Sequence, residues 1–479
     1  MLLRNTILNL LGFGAPLLVA VGTIPALIGA LGVDRFGLLT LVWAVVSYFG
    51  LLDLGLGRAL TQQLSVELAR GREARIAPLT WTALMLMGAL GSVAGVLMAM
   101  LAPWGVGLLA AVPDPEEAIR ATRAMAWAMP FIVLTSGLRG ILEARHAFVA
   151  INVIRLPMGL FTFLGPLAVV VWAAPRLDLI AWVLTLGRVL GFLAHAWAAA
   201  RSLPQMGRTI RFEQALVAPL CSAGGWLAVS NVVSPLMGYI DRFVIGATAS
   251  AAAIAYYATP NELVTKLWII PGALTTVLFP LFTAELLDHR ARTVMLFKNA
   301  ISGLFAALIP ITTVITLFAE PILAHWINPG FAAHSAPVLQ IFGAGILINS
   351  LAHIPFTLAQ SAGAARRTGL LHCAEILPYA LLLWVLSDRY GATGAAAAWF
   401  IRIAVDTTAT FVLCAKTLDM PMAATLPRGF VWMPVSAVAA WAVSLTPWNT
   451  LHLGWSVATL LAALAIGRHV YRQHRTAPT

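Results

Sequence analysis

PLTWTALMLMGALGSVAGVLMAMLA, residues 78–102, is a run of 25 residues without Asp, Glu, Lys or Arg, and the segment ARGREAR (69–75) just before it carries three arginines. At 1.5 Å per residue the run makes a helix of about 37 Å, enough to cross a hydrocarbon layer of about 30 Å. Similar runs recur end to end, at 7–31, 37–60, 78–102, 118–142, 150–173, 178–200, 218–247, 252–282, 299–319, 333–359, 370–387, 391–415, 429–446 and 451–468, fourteen candidate spans in all. The chain of 479 residues is 60% hydrophobic and 10% charged, with mean hydropathy +0.88, far from the roughly 25% charge of soluble domains. A β-barrel would alternate in segments of about ten residues, so the fold class is an all-α polytopic membrane protein.

The net charge of +11 does not come from one basic patch. Of the 30 Lys and Arg, eighteen fall in one set of alternate loops, five in the other and seven within spans. Bases stay preferentially on the cytoplasmic side, which predicts cytoplasmic N- and C-termini and leaves nucleic acid without a binding face. Cys221, Cys373 and Cys414 are widely spaced in apolar sequence, so neither a disulfide framework nor a metal site follows. The apolar stretch behind Arg4 is too long for a signal peptide and reads as the first span.

No loop is long enough to be a folded domain, and no phosphate-cradling Gly-x4-Gly-Lys-Ser/Thr loop, His-Glu-x-x-His helix or Gly-x-Ser-x-Gly elbow occurs. A membrane polysaccharide polymerase or ligase would present a long outer loop with catalytic groups, and the longest here are near Pro103–Glu117 and Glu320–Ala333. An offset of about 217 residues aligns Ser65-Val66-Glu67-Leu68 with Thr283-Ala284-Glu285-Leu286 and brings Arg188 within a turn of Arg402. This predicts a six-helix bundle over 1–200, a linker over 201–217, a second bundle over 218–415 related to the first by a pseudo-two-fold axis, and two added helices with a basic tail over 416–479.

Twelve charged residues lie within spans or just inside their ends: Asp53, Arg58, Arg139, Arg155, Arg188, Asp241, Arg242, Glu262, Lys266, Glu375, Arg402 and Asp406. A charge at the bilayer centre costs about 2.5–3.5 kcal/mol or more, so it persists where protein or water receives it. Their number implies a polar cavity between two bundles, and the excess of bases an anionic cargo. Arg188 and Arg402 sit near mid-depth, where a guanidinium fork suits phosphate oxygens; the alternative for Arg402 is a pair with Asp406 one turn on. Glu262 and Lys266 share that spacing and serve either cargo and proton or helix packing. Arg139 and Arg155 either capture a headgroup near the cytoplasmic face or reach the interface with their long stems. His372 and Glu375 share a face and form a candidate proton relay. Asp53 and Arg58 do not face each other unless the helix bends at Gly55 or Gly57. Pro130, Pro157, Pro235, Pro271, Pro310, Pro355 and Pro378 interrupt spans as hinges or static kinks.

Three blocks carry a family resemblance. Gly32-Val33-Asp34-Arg35-Phe36-Gly37 with Tyr48-Phe49-Gly50-Leu51-Leu52-Asp53-Leu54-Gly55-Leu56-Gly57 is the first, and Tyr239-Ile240-Asp241-Arg242-Phe243-Val244-Ile245-Gly246 with Tyr257-Ala258-Thr259-Pro260 and Ile270-Pro271-Gly272-Ala273 the second. The third is Glu375-Ile376-Leu377-Pro378-Tyr379 with Tyr390-Gly391-Ala392-Thr393-Gly394 and Ala398-Trp399-Phe400-Ile401-Arg402. In order and spacing they resemble Wzx-type polysaccharide flippases of the multidrug/oligosaccharidyl-lipid/polysaccharide (MOP) exporter superfamily.

The resemblance implies a MATE-like fold in a bacterial inner membrane. It implies a non-enzymatic transporter moving undecaprenyl-pyrophosphate-linked oligosaccharide outward by alternating access, coupled to an ion gradient. Arg188, Arg402, Lys266, Arg242, Arg58, Arg139 and Arg155 are then candidate cargo contacts, and Asp53, Asp241, Glu262, Glu375 and Asp406 candidate carriers of H+ or Na+, with no other cofactor. Partners would be membrane lipid, a polysaccharide polymerase and a chain-length regulator. Lipid II flippase relatives carry an Arg-rich first helix and drug-extruding relatives often an acid there, whereas residues 7–31 hold no charge. That departure counts against peptidoglycan precursor as cargo and puts a cation site in that helix in doubt. A multidrug or cation antiporter of the same superfamily is the alternative, disfavoured by the basic excess.

Overall fold

The computed structural model describes residues 2–49, 55–207, 209–288, 290–419, 421, 426–427, 429–447 and 450–476, and their side chains apart from 2–14, 46–49, 222–236, 287–288, 365, 471 and 473–476. Among the described residues there is no strand. The helices are α1 (Leu2–Leu31), α2 (Val33–Phe49), α3 (Leu56–Ala69), α4 (Glu73–Gly107), α5 (Pro115–Ala126), α6 (Met129–Ala144), α7 (Phe148–Trp172) and α8 (Leu177–Ser202). They continue with α9 (Val217–Thr248), α10 (Ala251–Thr265), α11 (Ile269–Asp288), α12 (Arg290–Leu317), α13 (Ala319–Trp326), α14 (Pro329–Ser361), α15 (Ala365–Thr417) and two last helices, Trp432–Ser444 and Thr450–Thr476.

Among the described residues nine helical stretches are long and apolar enough to cross a membrane, and Ala15–Leu31 and Trp432–Ser444 are shorter apolar helices. One of the nine, residues 366–417, is twice the length a bilayer needs. It is broken at Gly391, whose φ of 55° and ψ of −134° no helix contains. Arg402 lies over the Tyr379 ring, so residues at similar distances on either side of Gly391 meet and the chain doubles back there. Gly394 has to lack a side chain, since a Cβ would collide with the Leu386 carbonyl oxygen. The hairpin supplies both sequence spans, 370–387 and 391–415. The span expected over 37–60 is two helices instead, with Gly55 at φ 73° just before α3; a left-handed residue ends one helical path and starts another. Pro157, Pro310, Pro355 and Pro378 lie inside continuous helices. Pro130 sits in the first turn of α6, after the break that divides α5 from α6.

The chain forms two compact units, Met1–Ala255 and Tyr256–Thr479. The sequence division set the linker at 201–217, ahead of α9, whereas α9 packs with the first unit. Arg242 of α9 donates to the Thr40 carbonyl of α2 at 3.3 Å, and Gly37 of α2 meets the Ala251 backbone so closely that a Cβ would collide with it.

Burying apolar side chains between helices gains little where the surroundings are also hydrocarbon, so close packing has to hold the units. In the first unit Gly91-x3-Gly95 supplies it within the very run that marks the fold: Cβ atoms there would fall 2.7 Å from Pro130 Cα and 2.6 Å from the Ala126 carbonyl. Gly140 likewise meets α3 at the Gly57 carbonyl. Leu60, Leu64, Met87, Ile141 and Leu142 close a core there, and Phe282, Ile301, Leu308, Ile354 and Leu358 close one in the second unit.

At its base-poor end the first unit is tied by buried carboxylates. Glu117 of α5 accepts from Arg35 Nε at 2.9 Å and from the Leu177 backbone N–H at 2.7 Å, linking α2, α5 and α8. Asp114 caps α5 by accepting from the Glu117 N–H at 3.0 Å. Because Glu117 is 3% exposed, removing it strands two donors, each charge-assisted bond being worth about 1.5–3 kcal/mol. Glu117→Ala is therefore expected to lower the melting temperature of the purified protein by several degrees, with Glu117→Gln in between. An unchanged melting temperature in both would remove the tie from the account of this unit.

Candidate functional site

Each unit presents its own set of charges at membrane depth. In the first unit Arg139 of α6, Arg155 of α7 and His195 of α8 are near enough to feel one another's charge. His195 is buried, with Nδ1 2.7 Å from the Gly191 carbonyl oxygen. An Nδ1–H donor to that oxygen leaves Nε2 as an acceptor. Arg139 lies 3.6 Å from Glu143, one turn along the same helix, and Arg155 is half-buried. Seven residues from His195 on the same helix, about 10 Å along it, is Arg188, also half-buried. Among the described residues no carboxylate lies within 4 Å of it. A stretch of α8 with Arg188, Gly191 and His195 at i, i+3 and i+7 therefore presents one polar stripe. Arg58, in the first turn of α3, is exposed. Asp53 lies outside the described residues.

Asp241 and Arg242 are 2% and 4% exposed. Beyond its bond to Thr40, the Arg242 guanidinium lies 5.7 Å from the Tyr239 ring centroid. The structure places Arg242 in the packing of α9 on α2, deeply covered in this conformation.

In the second unit the hairpin of α15 brings together the two groups that the sequence left separate. His372, Glu375 and Tyr379 rise on one face before Gly391, and Arg402 and Asp406 come back opposite them. His372 Nε2 is 3.6 Å from Asp406 Oδ1, and Arg402 lies 5.0 Å over the Tyr379 ring. Glu375 is buried at 8% exposure and adjoins Asp406, Arg402 and His372. Neither of its oxygens has a well-aligned hydrogen bond among the described residues. Its close neighbour is a second carboxyl, that of Asp406, and two buried acids side by side favour a shared proton. Phe356 of α14 stacks on His372 at 5.7 Å, and His353, one turn earlier on α14, is close enough to feel Asp406. Glu262, near the end of α10, and Lys266, in the 3-10 turn just past it, pair at 3.1 Å with both side chains partly exposed.

Sequence reasoning missed His195 and His353. Both sit in long apolar runs where an isolated histidine reads as a core group, and only the packing of α8 and α14 gives them charged neighbours. Among the described residues no group of three or more His, Cys, Asp or Glu has the arrangement to hold a metal ion.

Comparison with known proteins fits this architecture. Residues 2–284 match the family described as polysaccharide biosynthesis protein. A Shigella flexneri protein named "Putative O-antigen transporter" is 28% identical over 411 residues, covering 85% of this chain and 96% of its own. Among solved structures, an inward-facing multidrug resistance MATE family transporter of the MOP superfamily superposes with a TM-score of 0.70 at 14% identity, covering 89% of this chain and 95% of that one. The lipid II flippase MurJ in an inward closed conformation gives a TM-score of 0.64 at 12% identity, covering 92% and 97%. These neighbours fix the fold as that of MOP-superfamily transporters, and the family match spans more than half of the sequence. The chain is a multi-pass membrane protein that belongs to the polysaccharide biosynthesis protein family.

Proposed function

We propose that the protein is a flippase that moves undecaprenyl-pyrophosphate-linked oligosaccharide from the inner to the outer leaflet of a bacterial inner membrane, with both termini in the cytoplasm. The observation that carries this reading is Arg188 at mid-depth on α8, with no carboxylate within 4 Å among the described residues, on the same helix as His195, which neighbours Arg139 and Arg155. Such a group stabilises a pyrophosphate through charge-assisted bonds that water does not offer at that depth. A drug or cation antiporter needs the opposite sign there. The flipped product is what a polymerase and its chain-length regulator would extend on the outer face.

The second unit supplies the site for the coupling ion, and a proton suits it better than Na+. Beside the Glu375 and Asp406 carboxyls stands the Arg402 guanidinium, whose fixed charge repels a metal cation, whereas two adjacent acids readily share a proton. Proton binding would neutralise Glu375 and alter its interactions with Arg402 across the α15 hairpin, biasing one of the alternating states. The reading is tested by deleting the gene and measuring lipid-linked glycan in each leaflet. The expected result is accumulation on the cytoplasmic side, reversed by the intact gene. Normal export in the deletion strain, or accumulation on the outer side, would overturn it.

A further inference from the structure

The first unit contains a feature with no part in either charged set: an apolar groove of about 400 Å3 at its base-poor end, walled by α2, α4 and α5 and closed by Phe243 of α9. On α4 it runs from Ala94 to Val106, about 18 Å of helix; on α2 from Leu38 to Val45 and on α5 from Ala118 to Met125, about 10 Å each. The polar lining group Thr122 is already engaged, donating to the Ala118 carbonyl at 2.8 Å. Apart from the Trp104 indole N–H, the other lining side chains are apolar. Leu97, Leu101 and Trp104 line it and are also more than half exposed, so its long side opens where hydrocarbon surrounds the protein.

We propose that this groove binds one acyl chain of a phospholipid in the base-poor leaflet, with the phosphate seated on Arg120 and Arg176. Two observations select that occupant. First, the groove starts at the helix ends and is about as deep as one leaflet, half of a hydrocarbon core of about 30 Å; the polyprenyl tail of the proposed cargo is far longer. Second, Leu177 of the lining stands next to two guanidiniums that face outward: Arg176 and Arg120 share the Asp178 carboxylate at 2.6 Å and 3.3 Å. Both are about half exposed, and each has more N–H donors than that one carboxylate engages, which a lipid phosphate at the mouth can accept from.

Gly105 allows a clean test. It lines the groove, and a Cβ there meets nothing within 4 Å, so Gly105→Leu starts from open space, takes up groove volume and removes a helical glycine. The full-length protein is reconstituted in phosphatidylglycerol vesicles, extracted in mild detergent and weighed by native mass spectrometry. One phosphatidylglycerol is expected to stay on the wild type. Its occupancy should fall at least fivefold in Gly105→Leu and at least threefold in the Arg120→Ala, Arg176→Ala double variant. Gly454→Leu, also open to a Cβ but on the last helix, should retain it. Equal retention in wild type and Gly105→Leu, loss of lipid from the wild type itself, or a retained mass that matches a polyprenyl lipid would each overturn the proposal. Because the probe is an ordinary phospholipid, the outcome is independent of whether glycan flipping occurs.

Discussion

Arg188→Ala is expected to stop glycan export while leaving the protein as stable as the wild type, or slightly more so. The side chain is half-buried on α8 and, among the described residues, has no carboxylate within 4 Å, so the folded protein bears its desolvation without a compensating partner. Truncation relieves that cost. What disappears is the interaction with cargo, about 1.5–3 kcal/mol for charge-assisted hydrogen bonds, or roughly ten- to a hundredfold in flux. Arg188→Lys keeps the charge but loses the bidentate fork and should recover part of the activity. Arg402→Ala makes the contrast. Its guanidinium lies over Tyr379 and beside Glu375 and Asp406, so its removal leaves acids uncompensated and should lower both expression and melting temperature. Export with flippase-dependent leaflet balance is the readout, at matched protein level. Normal export by Arg188→Ala would exclude this residue as the headgroup contact, and a destabilised Arg188→Ala would make it a structural charge.

The fold was legible in the sequence wherever length and polarity alone decide. Runs such as 78–102, 150–173 and 178–200 appear as α4, α7 and α8 within a few residues of their expected limits, because hydrocarbon allows helices little choice. The breaks were harder. Gly391 and Gly55 adopt positive φ, yet each stands in Gly- and Ala-rich sequence where many glycines remain helical, such as Gly91 and Gly95. Gly91 and Gly95 are required for a tertiary reason instead: neighbouring backbone lies under 3 Å from where their Cβ atoms would be. The Gly91-x3-Gly95 spacing, like Gly187-x3-Gly191 on α8, is a packing signal that sequence pattern could have supplied.

The candidate sites were legible as residues and not as groupings. All of the basic candidates in spans could be named from sequence, but nothing in their spacing tells Arg188, with no acid beside it, from Arg242, sealed between α9 and α2. Local pairs gave mixed returns for the same reason. Glu262 and Lys266 do pair at i, i+4, as helix geometry dictates, whereas Asp406 has His372 across the hairpin as a charge partner. A partner 34 positions away in sequence depends on the turn at Gly391, which periodicity cannot see.

That hairpin sets the second large effect, expected at Glu375 and Asp406. If the pair carries the coupling proton, Glu375→Gln fixes the site in a neutral form that can no longer cycle. Net export should then fall at least tenfold, while exchange of cargo between leaflets, which needs no net proton movement, continues and becomes insensitive to a protonophore. Asp406→Asn should be worse for folding, since it also removes the charge facing His372 at 3.6 Å and leaves Arg402 with less compensation. Glu375→Gln keeps the side chain's size and can still donate to the Asp406 carboxylate beside it, so its melting temperature should stay near that of the wild type. The double variant separates coupling from architecture: carboxyls that act as one protonation unit should give an export defect no larger than the worse single change, whereas independent sites should multiply their losses. Measured in vesicles with an imposed pH gradient and then with an imposed Na+ gradient, wild-type export should respond to the first alone. A response to Na+ that survives in Glu375→Gln would move the coupling ion away from the α15 hairpin altogether, because no neutral amide beside Arg402 and His372 offers a cation a reason to bind there.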